Sequence, residues 1–284
     1  MWSVRVGWAA LAFLAGPAVS QALSDTSRAV QIVGSVALWI AWLVGLVASA
    51  VPVPASLTVL RLVAPGAPLV ALAAVVRGVG PVAAGAALAS TIAIAAVVFA
   101  AEVGEIFVQG GAYGDERRFP LRPPGPLVLG PLPLGWLLSF GVAAVGVLTL
   151  AARGWVLGGL CTLVGLPLAT LFALRCHRLS RRFTVFVPAG FVLHDHLALV
   201  ETAMFAKGTI TGFCLAPADT EAADATGGAL GPAVELRLGE SGTIVLTDPS
   251  RPGGRALHVQ SLLFSPSRPG RFLAAASERN LRVG

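Results

Sequence analysis

Residues 155–193 read WVLGGLCTLVGLPLATLFALRCHRLSRRFTVFVPAGFVL. From Trp155 to Leu174 no residue carries a charge. At a 1.5 Å rise per residue, about 20 such residues cross a hydrocarbon core of roughly 30 Å. Arg175, Arg178, Arg181 and Arg182 follow at once. Then Phe183-Thr-Val-Phe-Val187, a Pro188-Ala-Gly190 turn and Phe191-Val-Leu193 form two short β-type runs. A span, a basic stop and a hairpin therefore occur in succession. The chain upstream resembles the first of these, and the chain downstream the last.

Upstream lie five more apolar segments: Val6–Ala22, Ala29–Val51, Leu57–Val76, Pro81–Ala101 and Leu127–Ala152. The first is short and contains Pro17. The third carries Arg61 and is broken by Pro65, Gly66 and Pro68. An alternative reading of the first is a cleaved signal peptide, with Arg5, an apolar stretch and Ala18-Val19-Ser20 before Gln21. The expected fold is an all-α transmembrane bundle of six helices, or five after cleavage, followed by a small mostly-β domain with a C-terminal helix. Composition agrees. Of 284 residues, 56% are hydrophobic and 12% charged, about half the charge of a soluble domain, near 25%. That balance excludes a disordered chain and disfavours nucleic acid as a partner. Gly154, Gly158 and Gly159 approximate a small-residue face for close helix packing. Trp2, Trp8, Trp136 and Trp155 sit near span ends and read as interfacial anchors.

The net charge of +6 is spread along the chain, and Lys207 is the lone lysine among 20 basic residues. The Arg175–Arg182 cluster is the strongest inside signal. It predicts cytoplasmic N- and C-termini in the cell membrane, with Arg28, Arg77 and Arg153 as exceptions. Cys161, Cys176 and Cys214 have no CxxC spacing and read as inert thiols. The domain division expected is a transmembrane part, 1–178, with a cytoplasmic loop at 102–126, and a β-rich part, 182–284.

Within the loop, Glu102 and Glu105 are three residues apart at a span end, a spacing that puts both on one helix face. With Arg61 they make a candidate charge cluster at membrane depth, where carboxylates need a partner or water. Arg61 is expected to contact one of them. Asp115-Glu116-Arg117-Arg118 is a mixed block. Arg117, Arg118 and Arg122 are candidates for docking or for lipid-phosphate contacts, and local salt bridges on an exposed loop are the cheaper explanation of the block. Pro120, Pro123, Pro124 and Pro126 impose an extended path into the fifth span.

Past Arg182, strand-like runs occur at Thr209–Leu215, Ala233–Leu238, Thr243–Leu246 and Ala256–Phe264, with a turn at Gly239–Gly242 and a helical run at Arg271–Asn280. Val234, Leu236 and Leu238 should face a core, Glu235 and Arg237 water, and Phe183, Val185 and Val187 the same core. Strand pairs closed by a final helix resemble bacterial domains of the pleckstrin-homology type. Over nearly its full length the chain is also similar to a group of uncharacterised actinobacterial multi-pass membrane proteins. The segments that carry this are Ala101-Glu-Val-Gly-Glu-Ile-Phe-Val, Tyr113-Gly-Asp-Glu-Arg-Arg-Phe-Pro-Leu-Arg-Pro-Pro and Phe186-Val-Pro-Ala-Gly-Phe-Val-Leu-His-Asp-His. That resemblance implies no activity.

His194-Asp195-His196 invites a metal reading, but three or four ligands are usual and only His177 and His258 remain. No phosphate loop, dinucleotide fingerprint or nucleophile elbow occurs. The functional expectation is a non-enzymatic anchor, scaffold or regulatory protein with a cytoplasmic binding domain and no cofactor. Its partners would be membrane lipids and a cytoplasmic or membrane protein. A small-solute or ion transporter, and a lipid-modifying enzyme, are the alternatives.

Overall fold

A computed structural model describes residues 1–248 and 250–284. The chain forms two compact units. One comprises Met1–Phe107 and Pro133–His177, and the other Val108–Leu132 and Arg178–Gly284.

Among the described residues, six helices are long and apolar enough to cross a membrane. They are Trp2–Ser24, Arg28–Ala50, Pro54–Val76, Pro81–Phe99, Pro131–Ala151 and Trp155–Ser180. The first and third are interrupted, at Ala15 and at Ala64–Pro65. Proline explains both breaks, because it supplies no N–H and clashes with the preceding turn. At the second break the Trp136 indole donates to the Leu62 carbonyl at 2.8 Å. Trp136 thus ties the fifth helix to the third, a role beyond the anchoring expected of it. Trp8 differs likewise: it is buried. Its indole donates to the Trp42 carbonyl at 2.8 Å, and the Trp42 indole donates back to the Trp8 carbonyl at 3.0 Å. Gly45 makes room for Trp8, since a Cβ there would overlap the ring. Arg5 donates to the Ser49 and Ala50 carbonyls, capping the end of the second helix.

The fifth and sixth helices pack backbone against backbone. A Cβ on Gly158 would lie 2.6 Å from the Leu150 nitrogen, and one on Gly165 would lie 2.5 Å from the Ala143 nitrogen. Gly146 faces Thr162 in the same way. Gly159 meets nothing. The close face is therefore Gly158, Thr162 and Gly165, at helical i, i+4, i+7 spacing, rather than the Gly154-Gly158-Gly159 set expected.

Among the described residues the second unit holds eight strands: β1 Arg117–Pro120, β2 Phe183–Val187, β3 Gly190–His194, β4 Ala203–Ala206, β5 Ile210–Leu215, β6 Ala223–Asp224, β7 Val234–Asp248 and β8 Arg251–Phe264. One sheet has the order β1-β2-β3-β4 and the other β5-β7-β8-β6. A C-terminal helix spans Pro269–Glu278. β1 pairs antiparallel with β2, Phe119 opposite Thr184. The unit thus draws on residues 108–132 as well as on the tail.

Seven phenylalanines fill its interior: Phe119, Phe186, Phe191, Phe205, Phe213, Phe264 and Phe272. Phe272, from the C-terminal helix, stacks on Phe186 at 4.8 Å and meets Phe264 edge-on at 5.1 Å. Each buried ring contributes about 1.5–3 kcal/mol by area alone. Val234, Leu236 and Leu238 face this core as expected. Three expectations need correction. Phe186 points into the core from β2 and Thr184 is fully buried, whereas Phe183 and Val187 are only half-buried. Val185 is buried as expected but lies outside the phenylalanine cluster, so the face that β2 turns to that cluster carries Phe186 instead. Glu235 is buried rather than in water, held by the Arg237 guanidinium at 2.8 Å and the Thr220 hydroxyl at 2.9 Å. Gly239–Gly242 is no hairpin turn, because β7 runs on to Asp248 with its register shifted between Arg237 and Gly242. The four residues between those two positions oppose the single residue Gln260, a large bulge.

Candidate functional site

In the helical unit, Arg61 lies near the C-terminal end of the first half of the third helix. Its guanidinium sits over the Phe99 ring at 5.7 Å. Its Nε is buried with no hydrogen-bond partner among the described residues. Glu102 and Glu105 lie on the short helix Ala101–Gln109. Glu105 is buried and Glu102 exposed, so burial separates two residues that share a face by spacing.

The three loop arginines lie in or beside β1. Glu116 accepts from Arg118 at 2.6 and 3.0 Å and from the Tyr113 N–H at 3.3 Å. The bond from Arg118 holds the Glu116 carboxyl below the usual carboxylate range, and the Tyr113 N–H adds to the effect. Arg118 covers the Phe183 ring and Arg117 the Phe119 ring. Arg122 donates to the Leu230 carbonyl at 2.8 Å. Partial burial pushes its guanidinium down.

Sequence reasoning missed the strongest polar contact of the second unit. Arg182 and Asp195 form a buried bidentate pair, Nε to Oδ1 at 2.7 Å and Nη2 to Oδ2 at 2.6 Å. Arg182 Nη1 also donates to the Arg122 carbonyl at 3.0 Å. Asp195 Oδ1 accepts from the N–H groups of Leu197 and Ala198. The only available signal was one aspartate following a strand beside one arginine preceding it. In sequence Arg182 reads as part of the basic cluster and Asp195 as part of the histidine pair. The histidines flank this pair. His194 Nδ1 lies 2.8 Å from the Thr202 hydroxyl, and the His194 and His196 rings are 6.5 Å apart. Desolvation lowers both imidazoles, and Arg181 adds to the effect at His194. Among the described residues no three His, Cys, Asp or Glu side chains are grouped to hold a metal.

A second feature without a sequence signal is a cavity of about 820 Å³ in the helical unit. It is lined by the first four long helices, and both helix breaks contribute, through Ala15, Gly16, Gly66 and Ala67. No lining residue is ionisable. No protein family, curated protein or solved structure matches this chain.

Proposed function

We propose that this chain is a non-enzymatic, multi-pass protein of the cell membrane, whose β unit is a binding module held at the cytoplasmic surface. The observation that carries this reading is how the module is built. β1 comes from between the fourth and fifth long helices, and all other strands follow the sixth. The module is therefore tied to the helices at three points of the chain, which suits a part that works at the membrane. Two four-stranded sheets with a C-terminal helix support the resemblance to the pleckstrin-homology type. The buried carboxylates of the module are held by arginines, Asp195 by the buried Arg182 and Glu235 by the exposed Arg237, contacts that serve the fold. Leu197, Val200 and Met204 are exposed apolar side chains on and before β4, at a sheet edge, and offer a partner a surface.

A photoreactive amino acid at Met204 tests this in cells. A discrete crosslinked protein is expected, and it should vanish in Leu236→Asp, which unfolds the module but leaves the helices inserted. Loss of the crosslink without loss of the β fold would sink the reading.

The two interrupted helices favour a second reading, a transporter of a neutral solute, because broken helices commonly frame transport sites. Solute flux through proteoliposomes containing only this chain would establish it in place of the first.

A further inference from the structure

We infer that the cavity between the first four long helices binds a neutral lipid: an apolar chain ending in an uncharged, hydroxyl-bearing head. Its volume of about 820 Å³ lies within the range of roughly 300–1,000 Å³ typical of small-ligand sites. The lining is mostly apolar, with the rings of Trp8, Trp39 and Trp42 among it. A charged head would be desolvated there with no counter-charge, since no lining residue is ionisable.

Donors and acceptors for an uncharged head are present. Most polar side chains of the lining are already engaged within the protein. Thr91 donates to the Ala87 carbonyl at 2.7 Å, Ser24 to Gln21 at 2.7 Å, and the Gln31 amide to Ser24 and Thr26, each at 3.0 Å. Ser20 and Ser35 differ. They lie on the first and second helices, both line the cavity, and neither hydroxyl has a hydrogen-bond partner among the described residues. In apolar surroundings a helical serine ordinarily bonds back to its own helix, as Ser49 and Ser90 do here.

The opening identifies the source of the ligand. Phe13 and Trp39 line the cavity and are 82% and 58% exposed. Each lies near the middle of its long helix. The lining residues Pro17, Ser20 and Ser24 are exposed as well, so the opening faces hydrocarbon chains at mid-helix and runs on to the end of the first helix, where the two serines lie. The inference rests on the membrane reading above and adds a ligand class to it.

The test uses the full chain in phosphatidylglycerol vesicles doped with a diazirine-bearing monoacylglycerol. After illumination, labelled peptides are mapped by mass spectrometry. Saturable labelling is expected in peptides covering residues 8–42 and 63–71, competed by unlabelled monoacylglycerol. Ala67→Trp, which fills the cavity, should reduce it about tenfold or more. The milder Ser20→Ala/Ser35→Ala variant keeps the volume. It should abolish the preference for the monoacylglycerol over a diazirine alkane without a head. Labelling that spreads equally to the sixth helix and ignores both variants would be bulk lipid, and would overturn the proposal. Extraction of the chain from vesicles by alkaline wash would refute the membrane reading itself. A chain that resists extraction yet labels without saturation would refute only the ligand.

Discussion

Asp195 shows how a single buried charge can be structural while resembling a reactive one. Its two oxygens are filled by Arg182 and by the N–H groups of Leu197 and Ala198. Removing one member strands the other in a dry interior. Asp195→Ala should therefore cost about 3–5 kcal/mol, whereas the joint change Arg182→Met/Asp195→Leu should recover most of it. Tryptophan fluorescence cannot follow this, because all six tryptophans lie at or before Trp155. Hydrogen exchange in peptides 183–194 of the full chain does report it, and equal protection in Asp195→Ala and the parent would refute the claim. The neighbouring histidines give the same region a pH response. Desolvation, with Arg181 beside His194, places both folded-state values below the unfolded value of about 6.5. The unfolded chain then binds more protons, so stability is full above about pH 6.5 and falls as pH drops through that value. His194→Gln/His196→Gln should flatten this loss in the same exchange measurement.

The long helices were legible because about 20 uncharged residues in a row have few other folds available to them, and five of the six expected segments end within a few residues of the observed helices. Their interior packing was not legible. Gly154, Gly158, Gly159 and Gly165 look alike in sequence, and only the partner helix shows which of them it meets. Gly158→Leu or Gly165→Leu should force the fifth and sixth helices apart and cost at least the 1–3 kcal/mol or so of an overpacked core. Gly159→Leu should be neutral. Thermal unfolding in micelles separates the outcomes, and equal melting of Gly158→Leu and Gly159→Leu would refute the packing face. The strands show the complementary limit. β7 alternates cleanly at Val234, Leu236 and Leu238, and these face the core. In β2 four of the five residues are apolar, so alternation does not choose a face. Phe186 packs against Phe191, Phe213, Phe272 and Phe119, and the strand that brings Phe119 there could not be read from Arg117-Arg118-Phe119-Pro120. Gly239-Glu-Ser-Gly242 carries turn chemistry, yet the longer pairing with β8 converts it to a bulge.

Strand pairing also constrains how the whole chain threads a bilayer. β1 precedes the fifth and sixth long helices and β2 follows them, and the two strands pair over four residues. If the long helices cross a bilayer as proposed, both strands lie on one side of it, with the fifth and sixth helices crossing out and back as a pair. The flanking arginines alone could not require this, since Arg28, Arg77 and Arg153 run against the charge rule. The pairing imposes this whether or not the first helix is retained. A cysteine-free background, made by replacing Cys161, Cys176 and Cys214, allows a direct test in sealed vesicles. Tyr113→Cys and Lys207→Cys occupy exposed positions in the loop and the tail, and Ala152→Cys is exposed between the fifth and sixth helices. An impermeant thiol reagent should label the first two from the same side and the third only from the opposite side. On the proposed orientation, in which the cluster Arg175, Arg178, Arg181 and Arg182 marks the cytoplasmic side, Ala152→Cys is expected to be the one labelled in intact cells. Labelling of Tyr113→Cys and Lys207→Cys from opposite faces would break the β1–β2 pairing and the binding module with it. Labelling of both from outside would leave the module intact and reverse only its orientation.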